Sequence, residues 1–326
     1  MTAILTLDIG GSKTAISLWQ ATCACPRLLH TAAVPTDYTD ADGLIPHLRQ
    51  FCQTVAIDND YKNDYKIEAC ALAIAGPTNS ADGLLRLTNN PLVLDITELY
   101  PIFPACRFTV LNDLEALAYA LPHLPPSSLQ QINPNAVPNP HAAHLPRLAA
   151  AVGTGFGAAA LLNGGRVLPT EAGHCRFAPA DAAQAQLLAD LNLNTITNET
   201  LLSGDGLQRI YTALNLQSAP LTAAEINSRA QLGCPAALAA TDMFSSCLGT
   251  ALGNLAVTFL AGGGIFLAGG VCQKLGPLLN AALLMQSMVI PGPFAAYLAA
   301  LPVWQITDPN AVSLGAAALA DRTLLG

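Results

Sequence analysis

A strand, a glycine-containing turn and a second strand follow one another twice in this chain, and this repeat constrains the fold more than any other feature. The apolar residues 3–8 run into Asp-Ile-Gly-Gly-Ser at residues 8–12, after which residues 15–19 alternate as a strand does. Residues 148–152 run likewise into Gly-Thr-Gly-Phe-Gly at residues 153–157, followed by apolar residues. Repetition of one hairpin indicates two similar half-folds. We therefore expect a two-domain α/β protein, which the length of 326 residues also favours.

The two turns have the composition of phosphate-binding loops. Glycine lets backbone N–H groups approach phosphate oxygens, and hydroxyl groups add further hydrogen bonds. Dinucleotide-binding and P-loop motifs continue from their glycines into a helix, whereas both turns here return as a strand. An ordinary hairpin with glycine at positive φ is the alternative. The residues predicted to bind nucleotide phosphates are Gly10, Gly11, Ser12, Gly153, Thr154 and Gly155, and Asp8 is predicted to hold Mg²⁺ through its water shell.

The buried strand predicted within residues 265–271 meets a pair of adjacent glycines. A strand that meets Gly269 and Gly270 allows a flat ring to lie against the backbone, which suits an adenine. A tight turn required only for packing is the alternative.

An amide and a carboxylate, Asn112 and Asp113, stand between the apolar strand predicted at residues 108–111 and a helical pattern of leucine and alanine. An aspartate at a helix start is often an N-cap and nothing more. Its place between the two glycine turns favours a catalytic base instead. The helix start also stabilises a charged carboxylate, so Asp113 is expected to be ionised at neutral pH.

Other polar residues have the chemistry to bind a sugar. Glu171 and His174 lie on one glycine-containing segment and can bind neighbouring hydroxyl groups. A zinc pair is the other interpretation, but the helical H-E-x-x-H context is missing. Asn89 is either a ligand for a polyol or a turn residue. Glu199 precedes the helix predicted at residues 205–214 and can be a charge that flanks a helix.

Composition excludes some classes of partner. A net charge of -8 and a pI near 5.1 argue against nucleic acid, whose phosphates need basic patches. Residues 245–273 and 275–307 carry no charged side chain, but glycine and proline interrupt both stretches, so no membrane span is expected. The first residues lack a basic leader, and the nine cysteines suit reduced thiols, which predicts a cytoplasmic protein. Residues 122–146, rich in proline and asparagine, predict a long surface loop with exposed histidines.

The ordered set of motifs resembles the bacterial glucokinase family of the actin and hexokinase superfamily. The motifs are Asp-Ile-Gly-Gly-Ser at 8–12, Leu-Asn-Asp at 111–113, Gly-Thr-Gly-Phe-Gly at 153–157, Glu-Ala-Gly-His at 171–174, Leu-Ser-Gly at 202–204 and Leu-Ala-Gly-Gly at 267–270. The resemblance implies a two-domain actin-like (ribonuclease H-like) ATPase fold with an interdomain cleft. It places a small α/β domain at 1–112, completed by a C-terminal helix at about 307–326, and a large α/β domain at 113–306.

The same resemblance implies a function. The enzyme would transfer the γ-phosphoryl group of MgATP to the C6 hydroxyl of D-glucose, giving glucose 6-phosphate and ADP, and would form a homodimer. The residues that match the family's sugar-binding positions are Asn112, Asp113, Glu171, His174 and Glu199, with Asp113 as the base; adenosine would lie near Gly269 and Gly270. Two residues depart from the family pattern: Lys13 where asparagine is common, and Ala172 where glycine is usual.

Three other functions are compatible with parts of this pattern. The first is a kinase of another hexose or of an N-acylhexosamine. The second is a non-catalytic sugar-sensing protein, against which the presence of Asp113 argues. The third is an actin-like filament or structural ATPase, which explains the two hairpins but not Glu171, His174 and Glu199 together.

Overall fold

The structure is a computed structural model that describes residues 1–22, 25–58, 65–137, 139–215 and 219–325. It divides into two compact units. Unit 1 comprises Met1–Leu124 and Pro309–Gly326, and unit 2 comprises Pro125–Asp308. The strands are β1 (Thr2–Ile9), β2 (Lys13–Gln20), β3 (Arg27–Pro35), β4 (Lys66–Ile74), β5 (Leu85–Arg86), β6 (Val93–Leu94), β7 (Arg107–Asn112), β8 (Leu129–Gln131), β9 (Arg147–Val152), β10 (Phe156–Leu161), β11 (Val167–Pro169), β12 (Ile265–Ala268) and β13 (Val303–Ile306). The α-helices are α1 (Ala41–Asp58), α2 (Asp113–Ala120), α3 (Ala182–Leu191), α4 (Asn198–Leu201), α5 (Gly204–Leu214), α6 (Ala223–Gln231), α7 (Pro235–Phe259), α8 (Gly270–Leu275), α9 (Ala281–Met288), α10 (Ala295–Ala300) and α11 (Ala311–Leu325).

Unit 1 is built on a five-stranded sheet in the order β3-β2-β1-β4-β7. The first three strands form an antiparallel meander, whereas β4 and β7 continue the sheet parallel to β1. β1 and β4 are buried along most of their length, as strands covered on both faces must be. Helix α1 contributes Leu44 and Leu48 to the same core as Leu5 and Leu7, while α11 packs on β1, β4 and α2.

Unit 2 repeats this arrangement. Its sheet has the order β11-β10-β9-β12-β13-β8, in which β9, β10 and β11 form an antiparallel meander and β12 and β13 run parallel to β9. The first five strands therefore match the order and directions of the unit 1 sheet, which confirms the predicted repeat of one half-fold. The core of unit 2 lies between this sheet and the helices, chiefly α5, α7 and α9.

The long apolar helix α7 is part of a buried core. It has 25 residues, and its buried side chains, such as Phe244, Leu248 and Leu252, belong to the unit 2 core. No helix within the described residues combines the length and the hydropathy that crossing a membrane requires.

The end of unit 1 differs from the domain boundary predicted after Asn112. Unit 1 extends to Leu124 because α2 packs along α11, which comes from the far end of the chain. A Cβ on Gly315 of α11 would collide with the backbone oxygen of Ala116 in α2, so the two helices are in backbone contact. The prediction already assigned the C-terminal helix to this unit and left out α2, which packs on that helix.

Residues 122–146 are not a loop throughout. Strand β8 lies within this stretch and pairs antiparallel with β13. Asn133 is 1% exposed, and its Nδ2 donates to the backbone oxygens of Ala299 at 3.0 Å and Leu301 at 2.7 Å. His141 and His144 are exposed, as the composition predicted.

Residues 270–288 form two helices, α8 and α9, with a break between them. Helix α8 ends at Leu275, because Gly276 has a φ of 52° and a short 3-10 turn containing Pro277 follows. Helix α9 then begins anew, with Asn280 as its N-cap accepting from the backbone N–H of Leu283 at 3.2 Å.

The contact between α2 and α11 can be tested by a substitution at Gly315. Gly315→Ala should lower the free energy of unfolding by about 1–3 kcal/mol, because the new methyl group must push the two helices apart. Helix propensity alone predicts the opposite sign, a gain of about 1 kcal/mol. Urea unfolding measures the difference. The matched control is Gly204→Ala, also in a helix but with the nearest atom to its Cβ at 4.0 Å; an unchanged or raised stability of Gly315→Ala would contradict the predicted packing.

Candidate active site

In unit 1, three parallel strands end at the same edge of the sheet. The register pairs Ile9 of β1 with Ile74 of β4, and Ile74 with Asn112 of β7. The first glycine turn follows β1 directly, and Asp113 follows β7 directly. The fold thus places the predicted phosphate-binding residues and the predicted base at one sheet edge.

The first glycine turn is closed by its own backbone. The N–H of Gly10 donates to the oxygen of Lys13 at 3.0 Å, and the oxygen of Ser12 accepts from the N–H of Thr36 at 3.1 Å. Asn90, which the sequence analysis did not select, donates from Nδ2 to the oxygen of Gly11 at 2.7 Å. The turn is therefore held in place from outside as well as from within.

Asp8 lies beside this turn at the end of β1. Burial raises the pKa of the Asp8 carboxyl to about 6, and the nearby positive charge of Lys13 partly offsets this rise. A carboxylate that burial disfavours in its charged form is a suitable place for a cation, which would stabilise that charge. Lys13, one of the two departures from the family pattern, thus brings a positive charge close to the turn.

Asn112, rather than Asp113, caps helix α2. The Oδ1 atom of Asn112 accepts from the N–H of Leu114 at 2.9 Å, and Glu115 accepts from the N–H of Asn112 at 3.0 Å, which completes a capping box. The Nδ2 atom of Asn112 donates to the oxygen of Gly76 at 3.2 Å. The alternative interpretation of Asp113 as an N-cap is therefore wrong, because the residue before it already performs this role and leaves Asp113 in the first turn.

Asn89, the remaining unit 1 residue predicted to bind sugar, has an exposed side chain. Its backbone oxygen lies 3.6 Å from where a Cβ on Gly11 would be, so the segment containing Asn89 packs against the first turn.

In unit 2, the second glycine turn contacts a predicted sugar-binding residue directly. The Oε2 atom of Glu199, in helix α4, accepts from the N–H of Phe156 at 3.0 Å. A Cβ on Gly155 would overlap the same Oε2 atom, so a larger residue there would displace the Glu199 carboxylate. By contrast, no atom lies within 4 Å of where a Cβ on Gly153 would be, and Thr154 is exposed. The open side of the turn can thus receive a phosphate group.

Glu171 and His174 lie at the two ends of a short 3-10 turn. The Nε2 atom of His174 is 3.9 Å from Oε2 of Glu171, and the side chains are 57% and 78% exposed, respectively. A Cβ on Gly173 would collide with the oxygen of Phe156, so this segment packs on the second glycine turn. Ala172, the other departure from the family pattern, is buried in the core, which accommodates its methyl group.

The two glycines after β12 have different roles. Gly269 has a φ of 103°, and a Cβ there would collide with the backbone of Val152, which immediately precedes the second glycine turn. Gly270 has no atom within 4 Å of where its Cβ would be. Packing therefore explains Gly269, whereas Gly270 offers open backbone of the kind predicted to lie against adenine.

Two residues that position the site were not predicted from the sequence. Asn90 holds the first turn, as described above. Asn198 is 8% exposed and donates from Nδ2 to the oxygen of Ala172 at 2.8 Å, which fixes the segment between Glu171 and His174. Among the described residues, no three histidine, cysteine, aspartate or glutamate side chains form a group that could hold a metal ion.

Comparison with known proteins decides the family. A family profile described as Glucokinase matches residues 5–323. This chain belongs to the glucokinase family. A glucokinase of Chromobacterium violaceum is 34% identical over 268 residues, which cover 79% of this chain and 75% of the relative.

Solved glucokinase structures have the same fold as this family member. The glucokinase of an Antarctic psychrotroph matches with a TM-score of 0.82 and 27% identity, covering 98% of this chain and 99% of that one. A Balamuthia mandrillaris glucokinase in complex with glucose matches with a TM-score of 0.77 and 25% identity, covering 98% and 94%. The predicted fold class, a two-domain actin-like α/β fold, is confirmed.

The raised pKa of Asp8 predicts a stability effect with a definite sign. The pKa rises from 3.8 to about 6, so the folded state holds this proton more tightly than the unfolded state does. The free energy of unfolding must therefore fall as the pH rises from about 4 to 6, by about 2 kcal/mol. Asp8→Asn should match the wild type near pH 4 and be more stable by this amount above pH 6, as thermal unfolding of the ligand-free proteins would show.

Asp82→Asn is a control that should change the stability at neutral pH in the opposite direction. Asp82 is exposed and bonded to Arg86, which holds the pKa of Asp82 below its usual value. Its replacement should lower the stability at neutral pH. If Asp8→Asn also lowered the stability at neutral pH, burial would not be the dominant influence on Asp8.

Proposed function

We propose that this member of the glucokinase family transfers the γ-phosphoryl group of MgATP to the C6 hydroxyl of D-glucose, giving glucose 6-phosphate and ADP. One observation carries this proposal beyond family membership. In unit 2 the second glycine turn is bonded to Glu199, a predicted sugar ligand, and Val152 at its start contacts Gly269 of the predicted adenosine segment. A phosphate-binding turn that adjoins both segments has the arrangement that a sugar kinase needs.

Asp113 is proposed as the general base. It follows the cap residue Asn112, so its carboxylate lies in the first turn of α2, where the helix dipole favours negative charge. The carboxylate would accept the proton of the C6 hydroxyl as that oxygen attacks the γ-phosphorus. Asp113 need not be a strong base, because phosphoryl transfer depends mainly on positioning and charge neutralisation.

Sugar binding is proposed for Asn89, Asn112, Glu171, His174 and Glu199. The exposed side chains of Glu171 and His174 can each bond hydroxyl groups, since they lie next to each other on one turn. A carboxylate offers about four acceptor sites, so the bond from Phe156 to Glu199 leaves capacity for a hydroxyl. Asn112 already uses its side chain to cap α2 and to reach Gly76, so its contribution would be to hold Asp113 and to offer its second amide hydrogen.

ATP binding is proposed for the glycine turns and the Gly269 to Gly270 segment. Gly10, Gly11, Ser12, Gly153, Thr154 and Gly155 are assigned to the phosphates, and no atom lies within 4 Å of where a Cβ on Gly153 would be, so a phosphate can approach the backbone there. Asp8 would hold Mg²⁺ through water, and Mg²⁺, when bound, neutralises charge on the phosphates.

The cellular setting of the enzyme is inferred from the sequence and the family alone. We propose a cytoplasmic homodimer that acts on small molecules, with neither nucleic acid nor membrane as a partner. Light scattering after size-exclusion chromatography would measure the mass in solution; a monomer at assay concentration would contradict the homodimer.

The role of Asp113 can be tested by removing its basicity. Asp113→Asn should lower kcat for glucose phosphorylation by about 100- to 10,000-fold, the usual contribution of a general base. The dissociation constant of glucose should change little, because the amide keeps the shape of the side chain. ADP release would be measured with MgATP and a panel of hexoses.

Two results would contradict the proposal in different ways. Wild-type protein that binds glucose but releases no ADP with any hexose would be a sugar-sensing protein. Wild-type activity confined to another hexose or to an N-acylhexosamine would change the substrate and leave the role of Asp113 open to the same test.

Glu171 offers a test of the sugar site. Glu171→Gln should raise KM for glucose by about 10- to 100-fold, because a charged acceptor of the sugar hydroxyl becomes neutral. KM for MgATP should stay within about twofold, since Glu171 is assigned no contact with the nucleotide. Exposed Glu98→Gln is a matched control that should change neither constant. Equal losses for both substrates would contradict the assignment of Glu171.

A further inference from the structure

Helix α4 contains two adjacent residues that hold two different binding segments. Asn198 donates from its backbone N–H to the oxygen of Cys175 at 2.9 Å and from Nδ2 to the oxygen of Ala172 at 2.8 Å. Its neighbour Glu199 accepts from the N–H of Phe156 at 3.0 Å. The first residue therefore fixes the segment of Glu171 and His174, and the second fixes the glycine turn.

The same two segments also pack directly on each other. The backbone of Gly173 packs on the backbone oxygen of Phe156 with no space for a Cβ, and Gly155 packs on the carboxylate of Glu199 in α4. A displacement of one segment must consequently displace the other or break the hydrogen bonds to α4.

Helix α4 is itself firmly anchored. The hydroxyl of Thr197 accepts from the N–H of Thr200 at 3.3 Å, and the hydroxyl of Ser203 donates to the oxygen of Glu199 at 3.0 Å. Ser203 in turn caps α5 by accepting from the N–H of Gly206 at 3.0 Å. With only four residues, α4 has little independent stability, so these caps and its bonds to the two segments determine its position.

We propose that α4 couples the binding of sugar to the binding of nucleotide phosphates, and that Asn198 is a positioning residue in this coupling. The inference rests on the proposed function, which assigns sugar to Glu171, His174 and Glu199 and phosphate to the glycine turn. A ligand that holds one segment in its binding position holds the other there through α4, so the second ligand meets a segment that is already in place and binds more tightly. The effect is reciprocal, since the coupling is a property of the two equilibria together.

Substitution of Asn198 tests the coupling without removing a proposed ligand contact. Its amide is buried and bonded to the backbone of Ala172, so it is assigned to neither ligand. Removing the amide should loosen the connection between the segments while leaving all the proposed ligand residues in the chain.

The test measures binding rather than rate. Calorimetry would give the dissociation constant of glucose alone and in saturating AMP-PNP with Mg²⁺, and the ratio of the two is the coupling factor. For the wild type we expect a factor of about 10, within the usual range of binding couplings. Asn198→Ala should reduce the factor to below about 3. If Asn198→Ala fails to fold, Asn198→Asp replaces it, because Asp keeps the size and suits a helix start but cannot donate to the oxygen of Ala172.

Gln184→Ala is the matched control for a loss of stability. Gln184 is also a buried amide of unit 2, and its Nε2 donates to Ser246 and Thr250, both at 2.9 Å, without bonding either binding segment. This variant should melt at a lower temperature and keep the wild-type coupling factor. A merely structural role of Asn198 predicts the same behaviour for Asn198→Ala.

The outcomes distinguish this inference from the proposed function. A wild type that phosphorylates glucose, together with Asn198 variants that keep the full coupling factor, would overturn the role of α4 and leave the kinase activity intact. A wild type that phosphorylates glucose without any coupling would overturn it as well. Absence of glucose phosphorylation and binding would overturn the proposed function and this inference with it.

Discussion

Parallel strand pairing is the constraint on which the rest of the structure depends. In unit 1 it aligns the ends of β1, β4 and β7, and in unit 2 it aligns the ends of β9 and β12, with Ala151 opposite Ala268. The residues that follow these strands therefore collect at one sheet edge in each unit, although they come from distant parts of the sequence. Catalytic chemistry requires this convergence, because positioning supplies most of the rate enhancement in phosphoryl transfer.

Two features at these edges cost stability in exchange for binding. The glycine turns carry the entropic cost that glycine has in the unfolded chain. Asp8 keeps a carboxylate where burial raises its pKa to about 6. Natural proteins commonly tolerate such local destabilisation at functional sites when the remaining fold is well packed. Here the continuous cores of both units, built from β1 and β4 in one and from β9, β12 and α7 in the other, provide that support.

The sequence alone was sufficient for the features that are local in the chain. The glycine turns, the polar residues after β7 and the segment from Glu171 to His174 are each visible as short motifs, and the repeated hairpin predicted the repeated sheet. Features that depend on distant partners were missed: Asn90 bonds Gly11, Asn198 bonds Ala172, and α2 packs on α11. Strand β3 was missed because its exposed edge position requires no apolar alternation. The capping role of Asn112 was not predicted, because the only cap considered was its neighbour Asp113, and both residue types favour helix starts.

The position to which the γ-phosphoryl group is transferred distinguishes a glucose kinase from an ATPase. Phosphorus NMR of a reaction containing the protein, MgATP and glucose would show where the γ-phosphoryl group goes. We expect glucose 6-phosphate and ADP in equal amounts, with little inorganic phosphate. Inorganic phosphate and ADP without any sugar phosphate would identify an ATPase instead and would contradict the assignment of Asp113, Glu171, His174 and Glu199 to a sugar.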